Sequence, residues 1–247
     1  MRIYKAVLTI SFFILAGGTL WSHQHAKLYP GFYLSILAVA VLLTVYFLVL
    51  REAAIQQRPL IVILPIIAIA IFFRTYTYLF PSSMPGVDMV GYGSMVASIV
   101  NTGTTASIGA NFYRAAPVSA LVPAMFKLAT DLPVSDSLVI YPIALGVITP
   151  AVVAALTLLT ASTKRIQAAG IAAVFASIAA ISVLFAQRPI AQSVGVAFWS
   201  LLILLLARYS IYKSKRFLIL VVVILIAQVF THKLPLSVIF FTLLTFT

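Results

Sequence analysis

Apolar residues run through this chain in long blocks, separated by short polar or basic stretches. The blocks fall at 6–21, 32–50, 60–80, 138–160, 168–186, 190–207, 217–230 and 234–247. A helix needs roughly 20 apolar residues to cross a bilayer's hydrocarbon. The pattern therefore predicts an all-α polytopic membrane protein with about eight transmembrane helices. The first block follows MRIYK and has the outline of a signal peptide, but no clear A-x-A site follows it, which favours a retained span.

Residues 81–137 break this rhythm, as a connection far longer than any other. Long connections in compact proteins are functional or disordered, and this one is too apolar for disorder. Its periodicity predicts two amphipathic helices. Near 88–100, Met89, Tyr92, Val96 and Ile99 recur at helical spacing, with Gly91, Ser94, Ser98 and Asn101 between them. Near 117–130, Val118, Leu121, Val122, Met125 and Ala129 fall on one face. Gly103, Gly109 and Pro117 punctuate the join. Such helices lie in the membrane interface, so the expectation is an external loop of amphipathic interfacial helices.

Composition agrees with lipid as the solvent. The chain is 63% hydrophobic and 8% charged, where a soluble domain carries roughly 25% charged residues. There is no cysteine, which excludes disulfides and thiolate metal sites. The net charge of +12 is compatible with nucleic acid, yet no basic run is interleaved with aromatics as a nucleic-acid groove requires, so no nucleic-acid partner is expected. The basic residues instead set orientation. With the N-terminus cytoplasmic, ten of the sixteen fall inside: Arg2, Lys5, Arg51, Arg58, Lys164, Arg165, Arg208, Lys213, Lys215 and Arg216. Three of the four acids, Asp88, Asp131 and Asp136, then fall outside, and Glu52 inside. The expected location is the cell (plasma) membrane, spanned several times, with 81–137 on the outer face.

Asp88 stands in MPGVDMVGYG, and two compatible roles suit it. It is a good N-cap, since its oxygen accepts a backbone N–H and its charge suits the helix dipole. It is also a carboxylate at the water–lipid boundary, able to bind a divalent cation such as Mg or Mn, or to take a proton from a hydroxyl. Five basic residues carry substrate-binding readings beside structural ones. Arg188, before Pro189, is a helix-start residue or a phosphate fork. His232 and Lys233 form a polar helix boundary or contact an anionic lipid phosphate. Arg74 is inexpensive at an interface and costly, hence functional, within a span. Tyr113 and Arg114 suit the wall of a sugar pocket. His23 and His25 make only two metal ligands, and Asp131 and Asp136 read as turn and cap residues.

FFRTYTYLF, then PGVD, SIVNTG and NFYRAAPVSALVPAMFKLA, resemble the first external loop of the GT-C superfamily of membrane glycosyltransferases. FAQRPIAQSVGVAFWSLLILLLARY and THKL resemble later elements of the same superfamily. The resemblance divides the chain into a two-span region, 1–58, and an incomplete GT-C-like core, 59–247, that includes the loop 81–137. It implies transfer of a sugar from a polyprenyl-phosphate-linked donor to an acceptor on the outer face, with Asp88 catalytic. Members often carry a second acid beside the first, where this chain has Val87 and Met89. The alternative expectations are a non-catalytic membrane scaffold and a transporter-like protein, although the predicted spans hold almost no acids.

Overall fold

The computed structural model describes residues 6, 9–10, 12–14, 16–17, 30–50, 60–79, 87–109, 114, 117–162, 164–179 and 191–231. Among them every long element is a helix and none is a strand. The helices are α1 (Pro30–Leu50), α2 (Leu60–Leu79), α3 (Val87–Thr102), α4 (Val118–Thr130), α5 (Val134–Ser137), α6 (Ile140–Thr160), α7 (Arg165–Ile178), α8 (Ala191–Tyr212) and α9 (Lys215–Val229). Among the described residues three segments are long and apolar enough to cross a membrane: Tyr33–Leu50, Val134–Thr160 and Val194–Tyr212. The predicted blocks at 6–21 and 234–247 lie largely or wholly outside the described residues.

The chain forms two compact units, each discontinuous in sequence: Met1–Met84 with Gly146–Leu184, and Pro85–Leu145 with Phe185–Thr247. In the first unit α1 and α2 share one core. In that core Ala40, Phe47 and Leu48 of α1 meet Ile66 and Ile69 of α2 and Ala173 and Val174 of α7. Small residues let the backbones close up. A Cβ added at Gly146 would stand 2.9 Å from Cγ1 and 3.0 Å from Cα of Ile71.

The ends of α7 are held by side chains from elsewhere in the same unit. At its start, buried Gln167 donates through Nε2 to the carbonyl of Leu48, at 2.9 Å. Leu48 is in the last turn of α1, where carbonyls lack intrahelical donors. At its other end, the helix stops at Ile178, and the rest of the predicted block, 180–186, lies outside the described residues. Arg74 takes over the terminal carbonyls there, as described below.

In the second unit, α8 and α9 form a hairpin. Lys213 adopts left-handed backbone, φ 51°, and its N–H donates to the Tyr209 carbonyl at 2.8 Å. Leu202 of α8 and Val221 of α9 are buried between them. α8 runs five residues past the predicted end at 207, through Arg208 to Tyr212. A helix backbone continues through a charged residue whose long stem carries its head toward water. On α9, Leu218, Ile219, Val222, Val223 and Ile226 stay exposed, an apolar surface suited to lipid.

Candidate functional site

The segment expected to carry chemistry is helical at both predicted places. α3 covers the predicted 88–100, and Asp88 lies in its first turn. The Asp88 side chain lies outside the described side chains. Tyr92, Val96 and Ile99 of α3 are buried, as their spacing implied. Gly103 ends the helix with φ 70°, and its N–H donates to the Ile99 carbonyl at 2.8 Å. This left-handed terminus suits glycine, which has no Cβ to clash. Thr104 then opens a short 3₁₀ turn, Thr105–Ser107, its Oγ1 accepting the Ala106 N–H at 3.2 Å.

Arg114 is spent partly on its own loop. Its Nε and Nη2 both donate to the carbonyl of Ile108, at 3.2 and 3.0 Å, and Ile108 itself is buried. This clamp fixes the return from α3 toward α4. One edge of the guanidinium is thereby committed to backbone, while its positive charge is retained.

α4 packs through its small residues. Its buried residues are Ser119, Ala120, Pro123 and Ala124. Val122, Met125 and Leu128 are exposed, Met125 and Leu128 at 67%. The sequence reading put Val122 and Met125 on the apolar face of an interfacial helix, and both are exposed. Close backbone approach selects small residues for the contact and leaves the large ones outward, as in lipid. Two hydrogen bonds fix the approach. The Tyr141 hydroxyl donates to the Ser119 carbonyl, and the Val118 N–H donates to the Phe230 carbonyl at 3.3 Å. Beside them, Ser119 Oγ and both polar atoms of Gln228 are buried with no hydrogen-bond partner among the described residues.

Asp131 ends α4 in left-handed backbone, φ 57°, and its carboxylate accepts from Lys127 Nζ at 2.6 Å. The hydrogen bond and the charge of Lys127 hold the Asp131 carboxyl below its ordinary value. Asp136 lies in the first turn of α5. Both are turn and cap residues, as their sequence context suggested.

Arg74 belongs to the first unit and is fully buried. Its Nη1 donates to the carbonyls of Ala70, at 3.1 Å, and Ser177, at 2.8 Å. Its Nη2 donates to the carbonyl of Ala176 at 3.1 Å. Ala176 and Ser177 are in the last turn of α7, where orphan carbonyls and the negative dipole end favour a cation. A buried guanidinium is tolerated there because Nη1 and Nη2 meet carbonyl oxygens. The structure thus gives Arg74 a helix-capping task, where the sequence reading put a phosphate contact.

Tyr113, Arg188, His232, Lys233, His23 and His25 lie outside the described residues. With the Asp88 side chain outside the described side chains, so is its expected convergence with at least one of Arg74, Arg114, Arg188 or Lys233. Among the described residues no three histidine or acidic side chains come together as a metal site. Gln167 and Gln228 were not singled out by sequence. The signal available was a lone amide within an apolar run for Gln228, and at the start of one for Gln167. No protein-family model, no curated protein and no solved structure matches this chain.

Proposed function

We propose that the chain is a multi-pass protein of the cell membrane with a cytoplasmic N-terminus, and that it is a GT-C-like glycosyltransferase or part of one. The observation that carries this reading is Asp88 in the first turn of α3, opening a long connection folded as helices. The positive end of a helix dipole favours an ionised carboxylate. The eight-span topology and the outward position of 81–137 belong to the same proposal, and rest on the block pattern and the basic-residue asymmetry.

In this reaction an acceptor hydroxyl attacks the anomeric carbon of a polyprenyl-phosphate-linked sugar. The new glycosidic C–O bond forms as the bond to the lipid phosphate breaks, and the phosphate leaves with the electron pair. The Asp88 carboxylate takes the hydroxyl proton. Arg188, His232 and Lys233 are the proposed contacts of the donor phosphate, with Tyr113 against the sugar. A divalent cation on Asp88 is the other role for the same carboxylate. The deciding experiment incubates membranes holding the chain with polyprenyl-phosphate sugars and follows loss of the lipid-linked sugar, with and without EDTA. Turnover lost in Asp88→Asn supports the reading, and sensitivity to EDTA assigns Asp88 to a cation. Turnover absent with every donor, or unaltered in Asp88→Asn, refutes it.

A scaffold without catalysis is the second reading. Its support is that the guanidinium groups of Arg74 and Arg114 both hydrogen-bond backbone carbonyls, as architectural residues do.

A further inference from the structure

α2, α6 and α7 enclose a groove of about 510 Å³ within the first unit. Such a volume lies in the ~300–1,000 Å³ range of small-molecule sites. Ile63 and Ile67 line one side, Ala151 and Ala155 another, and Leu158 and Ile166 one end. Every lining residue is apolar, so an occupant must place hydrocarbon there, since an unpaired polar group would lose its hydrogen bonds to water.

The end formed by Leu158 and Ile166 is also the basic end. Lys164 and Arg165 immediately precede Ile166, and both are exposed. Arg165 is tied to this rim, donating from Nε to the Leu158 carbonyl at 2.9 Å and from Nη2 to the same oxygen. A hydrocarbon groove with two cations at one end complements a ligand with an apolar tail and an anionic head.

We propose that this groove binds an anionic phospholipid, its acyl chain between Ile67 and Ala151 and its phosphate at Lys164 and Arg165. The proposal rests on these helices lying in a membrane, and not on glycosyl transfer. A zwitterionic lipid fills the apolar part equally well, so the two cations decide the preference.

The test is native mass spectrometry of the full chain in non-ionic detergent, with phosphatidylglycerol or phosphatidylcholine of identical acyl chains. The wild type should retain phosphatidylglycerol on the order of tenfold more tightly, as two basic side chains near an anionic head imply. Lys164→Gln with Arg165→Gln should erase the preference and leave phosphatidylcholine retention unchanged. Ala151→Trp should lower retention of both lipids. Ala151 is exposed, so the indole enters the groove without displacing packed core. Equal retention of both lipids by the wild type overturns the proposal, as does unchanged retention in Ala151→Trp. Stronger retention of undecaprenyl phosphate, or a dimer that Ala151→Trp splits, assigns the groove to another occupant and also overturns it. A chain that stays monodisperse without detergent refutes the membrane reading itself, a result separate from any lipid preference.

Discussion

Arg74 and Ser177 stand 103 positions apart in sequence, and Nη1 of the first donates to the carbonyl of the second at 2.8 Å. Through this bond and its neighbour to Ala176, α2 closes the end of α7. A single guanidinium replaces the intrahelical donors that α7 lacks beyond Ile178. Arg74→Met should therefore destabilise the fold by on the order of 3 kcal/mol, because it leaves buried carbonyls unpaired. Thermal unfolding in detergent reads this directly. An unchanged midpoint would return Arg74 to the pool of phosphate-binding candidates.

Asp88→Asn keeps the size of the side chain and much of its capping ability, so the variant should fold with an unaltered midpoint. Turnover of a polyprenyl-phosphate sugar should drop at least tenfold, the loss of a general base being typically ~10²–10⁴. Normal turnover in a folded variant leaves Asp88 as a cap alone.

Thr104 is exposed at the start of the 3₁₀ turn, and the chain has no cysteine to interfere with labelling. Thr104→Cys in intact cells should react with a membrane-impermeant maleimide. Reaction only after permeabilisation would invert the proposed orientation.

Gln228 is fully buried, and neither Oε1 nor Nε2 has a partner among the described residues. Replacing an unpaired buried amide by a hydrocarbon of similar size removes a desolvation cost. Gln228→Leu should raise the unfolding midpoint, by about 1–3 kcal/mol in stability. A fall instead means that the amide has a polar partner in the folded protein.

The carboxyl of Asp131 titrates below its ordinary value because Lys127 bonds and attracts it. A folded pKa below the unfolded one stabilises the fold above the unfolded pKa, and that contribution disappears as pH falls through the folded pKa. The effect should be small, since the Asp131 side chain is 98% exposed. Carbon-detected NMR should find the Asp131 pKa raised toward the ordinary value in Lys127→Met. No change would mean that the ion pair does not persist in solution.

The sequence by itself determined the helical class, because blocks of apolar residues leave the backbone no stable alternative in lipid. It also located α3 and α4, whose 3.6-residue period and terminal Gly103 are local signals. The buried face of α3 was legible in Tyr92, Val96 and Ile99, where an apolar stripe alternates with small polar residues. The buried face of α4 was not. Both sides of that helix are apolar, and the choice fell to Ser119, Ala120 and Ala124 because only small side chains permit the contacts that Tyr141 and Phe230 make. Arg74 and Gln167 were likewise undecided in sequence, since a cation or amide in an apolar run reads equally as a functional group or a cap. Tertiary structure decided them by bringing to each a helix end whose carbonyls had no donor of their own. Such pairings join residues more than a hundred positions apart, a separation that no local pattern encodes.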